Sequence, residues 1–106
     1  SMDALTARAA RLASIPLEAP AAAIGRTTVE AVQSGTVCGA AAMAEGLVAR
    51  IKRELGEPGA RVIATGGLAA MVASCTDVFD VLDQQLTLKG IREIHRRMQA
   101  KGPTEA

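Results

Sequence analysis

An α/β fold, mainly helical with a small parallel β piece, is predicted for this 106-residue chain by three features. The run Arg61, Val62, Ile63, Ala64, Thr65, Gly66, Gly67, Leu68, Ala69 reads as a short buried strand, a glycine pair and a helix that starts at once. A second short strand, Val78 to Leu82, is expected after that helix, and strand, helix, strand implies a right-handed crossover with parallel pairing. The segments on either side carry helical rather than alternating periodicity.

The first helix is expected from Asp3 to about Ala13, where Leu5, Ala9 and Leu12 share a stripe, Arg8 and Arg11 lie off it, and Asp3 suits the first turn. Ser14 to Pro20 cannot remain helical, because Pro16 and Pro20 each remove a donor and bias the preceding residue towards extended geometry. A long helix is expected from Thr28 to Leu55. Thr27 and Glu30 form a capping box at its start, and Gly56, followed by Pro58 and Gly59, ends it.

Within that helix Ala31, Gly35, Gly39, Ala42 and Gly46 recur at helical spacing and draw a stripe with almost no side chain. Each glycine costs about 1 kcal/mol against alanine in a helix interior, so the stripe predicts a second element in close approach. Leu47, Ile51 and Leu55 form a conventional core stripe, with Arg50, Lys52, Arg53 and Glu54 solvated. Strands are expected at Arg61–Thr65 and Val78–Leu82, the latter between Asp77 and Asp83, with a helix from about Leu68 to Ser74 between them.

The last helix is expected from Leu88 to Ala100, with Thr87 as N-cap and Leu88, Ile91, Ile94 or His95, and Met98 on one face. Lys101, Gly102 and Pro103 stop it. Arg92, Arg96, Arg97 and Lys101 gather towards its end, where the helix dipole favours cations without any ligand. His95 has no carboxylate or second histidine at helical spacing and reads as an ordinary half-buried helix residue.

Composition narrows the function. Twelve basic and eleven acidic residues leave a formal charge of +1, and Phe79 is the single aromatic residue, which argues against nucleic-acid binding. No apolar run reaches the roughly 18 residues needed to cross a bilayer, and the N-terminus lacks the pattern of a secretory signal, so a cytoplasmic location is expected. Cys38 and Cys75 show no metal-ligand spacing and read as reduced core cysteines. Residues 1–2 read as a tag and start remnant, 3–102 as one subdomain, and 103–106 as a tail.

The glycine pair is neither a GxGxxG nor a P-loop. It suits either a tight connection or a close backbone approach to a nucleotide at a helix N-terminus. Nor do the elements close into a domain, since two short parallel strands leave unpaired edges. The chain is expected to be part of a longer protein or to complete its sheet with another copy, and in isolation to associate through its small-residue face or open sheet edge.

Three runs carry a family resemblance: Ile24-Gly25-Arg26-Thr27-Thr28-Val29-Glu30-Ala31-Val32-Gln33-Ser34-Gly35, Val62-Ile63-Ala64-Thr65-Gly66-Gly67-Leu68-Ala69 and Leu86-Thr87-Leu88-Lys89-Gly90. In this order and at these separations they resemble the C-terminal part of type III pantothenate kinase. The resemblance implies an incomplete RNase H-like subdomain of the actin, Hsp70 and sugar-kinase type. It also implies an enzyme that phosphorylates pantothenate with ATP, Mg2+ and a monovalent cation (K+ or NH4+) as a homodimer, in the first step of coenzyme A synthesis.

Carried over by residue, the resemblance places Thr28 at pantothenate and Gly66 and Gly67 at adenosine. The small-residue stripe would then pack within the domain or at the dimer interface. No catalytic residue and no metal ligand are carried over, because the family's phosphate motifs and catalytic aspartate belong to upstream sequence. The chain alone is therefore expected to be inactive and to hold no cofactor. Met98 departs from the aromatic-basic-asparagine ending usual in the family. The competing expectation is a non-catalytic, self-associating assembly module derived from this family.

Overall fold

The computed structural model describes residues 2–102. The readings of Ser1 as a remnant, of Pro103 as a helix stop and of 103–106 as a tail lie outside them, as does the side chain of Leu12. In order the chain forms α1 (Met2–Ala13), α2 (Thr28–Gln33), a π-helical stretch (Ser34–Cys38), α3 (Gly39–Leu55), β1 (Ile63–Ala64), α4 (Ala69–Ala73), β2 (Val81–Leu82) and α5 (Leu86–Lys101).

The segment from Thr28 to Leu55 is one continuous helical rod, and its ends fall where the caps put them. Thr27 is extended, and its hydroxyl accepts the Glu30 N–H at 3.1 Å. The Glu30 carboxylate reaches one residue further back than in the usual box and accepts the Arg26 N–H at 2.8 Å. At the other end Gly56, at φ 65°, donates to Arg53 O at 3.2 Å, and Glu57 donates to Lys52 O at 3.0 Å, the paired bonds of a Schellman motif.

The π-helical stretch departs from the uniform helix expected here. Gly39 donates to Ser34 O, five residues back, while the Ser34 hydroxyl donates to Ala23 O and Gln33 Nε2 donates to Pro16 O at 3.2 Å. The incoming loop thus straps the rod at its wider turn. That turn offsets the helical register, so Ala31 and Gly35 do not continue straight into Gly39, Ala42 and Gly46. Instead Val37 and Ala41 point inwards and are buried with Ala64 and Ala69, where α4 packs on the π-helical stretch and α3.

The strap fixes Gly25. A Cβ there would lie 2.4 Å from Ala31 N, 2.5 Å from Ala31 Cα and 2.8 Å from Glu30 C, all backbone atoms that cannot swing aside. Gly25→Ala should therefore cost about 2–3 kcal/mol by forcing the loop off the rod. In the full-length protein this corresponds to a melting temperature lower by roughly 5–10 °C. Calorimetry showing an unchanged transition would contradict the close approach.

The sheet is parallel, as expected, but shorter than the sequence suggests, with Ile63 opposite Val81 and Ala64 opposite Leu82. Asp80 extends it by one step: its N–H donates to Val62 O at 2.8 Å and its carboxylate accepts the Val62 N–H at 2.7 Å. Asp83 then joins sheet to helix. Its N–H donates to Ala64 O at 2.9 Å, and its carboxylate accepts the Gln85 N–H at 2.9 Å and meets Lys89 Nζ at 2.8 Å. Hence α5 begins two residues before the expected start, and Asp83, not Thr87, organises its first turn.

The hydrogen bond from Lys89, then that from Gln85, hold the Asp83 carboxyl below its ordinary value of 3.8. A carboxyl depressed on folding contributes fully above that value, and the contribution is lost as pH falls through the depressed one. Acidification below 3.8 should loosen the β2–α5 junction, seen as faster hydrogen exchange at Gln85 and Leu86. Asp83→Asn should exchange faster at neutral pH and lose this acid step; an unaltered acid step in that variant would assign it elsewhere.

The apolar stripes are where sequence and structure part. Leu47, Ile51 and Leu55 on α3, and Leu88, Ile91, Ile94 and Met98 on α5, are spaced as core faces yet stand exposed, Leu55 at 62% and Met98 at 66%. A Cβ at Gly35, Gly39 or Gly46 would meet nothing within 4 Å, so the small-residue stripe also lacks a neighbour among the described residues. Helical spacing identifies a face that wants cover, and no element among the described residues supplies it.

Candidate functional site

Gly66 is held by geometry alone. Its φ of 108° lies where L side chains are strained, and its carbonyl accepts the Ala69 N–H at 3.2 Å to close the turn from β1 into α4. Gly67 has ordinary φ, and a Cβ there would meet nothing within 4 Å, so nothing in the described packing requires glycine at that position. Both are exposed. The helix that follows is only five residues long and begins at Ala69, after Leu68 without a side-chain cap, so it offers less of an N-terminal dipole than the sequence suggested.

Thr28 opens the rod. Its side chain is exposed, and its hydroxyl makes no hydrogen bond among the described residues, while the neighbouring Thr27 and Glu30 side chains are spent on the cap. The N–H groups of Thr28 and Val29 precede the first helical bond, from Ala31 N–H to Thr27 O at 2.9 Å, and stay open as well. A hydroxyl beside two open N–H donors can bind a polar or anionic group. Next to it a cavity of about 370 Å3 is walled by loop residues 19–22 and Ile24 together with Arg26, Glu30 and Gln33; Thr28 is not part of its lining.

The structure does not gather the three residues into one closed site. Thr28 lies roughly 13 Å of helix axis from Val37, against which the α4 end of the glycine turn packs. What the chain presents is one open wall, with a hydroxyl and two N–H donors at one end and a bare backbone at the other. Among the described residues no group of three or more histidine, cysteine, aspartate or glutamate side chains could hold a metal ion. At the far end of α5, Glu93 pairs with Arg96 at 2.6 Å and Arg97 at 3.0 Å. Arg96 chiefly, then Arg97, holds the Glu93 carboxyl below its usual range, and the pairing agrees with a solvated charged face.

Comparison with known proteins supplies the missing context. The family model for type III pantothenate kinase matches residues 1–50. The type III pantothenate kinase of Thermomicrobium roseum is 49% identical over 98 residues, 92% of this chain and 38% of that protein. That of Thermus thermophilus is 52% identical over 93 residues, 88% of this chain and 36% of that protein. The chain belongs to the type III pantothenate kinase family. In the relative from Zymomonas mobilis the likeness, at 46% identity, takes in 99% of this chain.

Against these kinases the chain spans a little over a third of their length. One structural residue escaped sequence reasoning. Gly25 sits inside the matched segment, and its only sequence signal was a glycine two residues before the N-cap, which does not reveal how closely the loop approaches Ala31.

Proposed function

We propose that this chain is the C-terminal part of an ATP-dependent pantothenate kinase that converts pantothenate to 4'-phosphopantothenate, the first step of coenzyme A synthesis. The observation that carries the reading is about half identity to type III pantothenate kinases across nearly the whole chain. In this reading the elements complete an RNase H-like domain of the actin, Hsp70 and sugar-kinase type, with the remaining strands supplied from upstream. The full enzyme would be a cytoplasmic homodimer; among the described residues no helix is long and apolar enough to cross a membrane.

Each candidate residue has a limited role. The Thr28 hydroxyl, with the open N–H groups of Thr28 and Val29, binds and orients pantothenate at the start of the rod. Gly66 and Gly67 let the main chain lie against adenosine. Among the described residues no cluster of acidic, histidine or cysteine side chains fits Mg2+, and the ligands of Mg2+ and of the monovalent cation, with the general base, are assigned to the upstream part. The competing reading, a non-catalytic assembly module, draws on the exposed stripes of α3 and α5. An upstream reading frame encoding an aspartate-glycine-asparagine-threonine phosphate motif supports the kinase, and a native start at Met2 supports the module.

Steady-state kinetics of the full-length protein test the site. Thr28→Ala removes one hydrogen bond to substrate, of about 1–1.5 kcal/mol, so KM for pantothenate should rise roughly tenfold while KM for ATP stays within about twofold. Gly66→Val should do the reverse by raising the ATP value. A Thr28→Ala enzyme with unchanged pantothenate KM would remove Thr28 from the site.

A further inference from the structure

The two cysteines, 37 positions apart in sequence, line one cavity of about 370 Å3. Its floor is a single face of the rod, Cys38, Ala41 and Glu45, set at helical spacing with alanine where a larger side chain would fill the space. Ser74 and Cys75, just after α4, form the opposite wall, and residues 20–23 of the strapping loop form the third. Both cysteines are free and half-buried. The Thr76 hydroxyl donates to Glu45 Oε1 at 2.8 Å and holds the Cys75 segment over the same stretch of rod. The Ser74 hydroxyl lies 3.9 Å from Cys75 Sγ.

We propose that Cys38 and Cys75 are an oxidisable thiol pair, closed across this cavity into one disulfide by a low-molecular-weight disulfide. One cysteine, as thiolate, attacks a sulfur of the oxidant, forming a mixed disulfide and expelling one small thiolate. The second cysteine, as thiolate, attacks the protein sulfur of that mixed disulfide and expels the other small thiolate. Two protons pass from the cysteines to the departing thiolates, so the cysteines are oxidised by two electrons and one oxidant molecule is reduced to two thiols. Closure needs the cavity to narrow, because a disulfide brings the two Cβ atoms to about 4 Å. Between them the rod face carries Ala41 and Ala42 rather than bulky side chains. The bridge ties the segment after α4 to the rod, adding a covalent bond to the Thr76–Glu45 contact.

The experiment treats the protein with glutathione disulfide, blocks remaining thiols, digests without reductant and maps the products by mass spectrometry. The expected result is loss of both thiols, a linked pair of peptides containing Cys38 and Cys75, no retained glutathione, and full reversal by dithiothreitol. Cys38→Ser and Cys75→Ser should each retain one glutathionyl group on the remaining cysteine. Stable glutathione on both cysteines of the unmodified protein would overturn the proposal. So would two unreacted thiols in the folded protein when an unfolded sample closes the bridge under the same conditions.

Discussion

Incubated with ATP, Mg2+, K+ and pantothenate, the 106-residue chain should form no 4'-phosphopantothenate, whereas the full-length protein that carries it should turn over at an ordinary kinase rate of about 1–100 s⁻¹. Phosphoryl transfer relies on positioning and charge neutralisation: groups must grip the phosphates, a metal must bridge them, and a base must meet the attacking hydroxyl. The residues assigned here do none of these things. Thr28 can orient an acceptor, and the Gly66 turn can let adenosine approach, but both belong to one open wall with no metal-holding cluster among the described residues.

Mixing the chain with the separately made upstream part distinguishes a missing wall from a misfolded one. Restored turnover places the chain as one side of the cleft. Phosphopantothenate formed by the chain alone would mean that its own side chains perform the chemistry, against the roles assigned above.

What could be read from the sequence follows from how local each cause is. The rod ends were legible because a capping box and a C-terminal glycine act within a few residues, and Thr27, Glu30 and Gly56 behave accordingly. Its π-helical stretch was not, because the wider turn goes with the reach of Ser34 to Ala23, a contact 11 residues away that no helical periodicity encodes. Both strands were read too long: the stretches 61–65 and 78–82 do contain β1 and β2, but ladder hydrogen bonds need neighbours, and each strand has one.

Gly66 was legible as a turn glycine, and its positive φ agrees. Thr28 became a candidate only through family resemblance, since a threonine in a first helical turn has no signature of its own. The organisation of α5 by Asp83 could have been suspected from an aspartate just before the helix, but Thr87 offered the same chemistry nearer the expected start.

The isolated chain should also fail to remain a monomer. It exposes 8288 Å2, against about 5,600 Å2 for a compact monomer of its mass, an excess of roughly 2,700 Å2. Its radius of gyration is 20.2 Å, where about 13 Å suits a compact chain of this length. A specific interface needs about 800 Å2 from each partner, so the surplus is enough for more than one. Much of it is apolar and arranged in stripes, on α3 through Leu47, Ile51 and Leu55 and on α5 through Ile91, Ile94 and Met98.

Such stripes do not stay wet at micromolar concentration when a second copy can cover them. Sedimentation velocity should show dimers or larger species whose share grows with concentration. Replacing Leu55 and Met98 by glutamate should shift the distribution back towards monomer, because neither side chain is part of the small buried core of Val37, Ala41, Ala64 and Ala69. If the upstream part proposed above lies on those faces in the full-length protein, the same substitutions should lower its stability instead. A well-folded monomer across the concentration range would show that the chain closes on itself and covers these stripes without a partner.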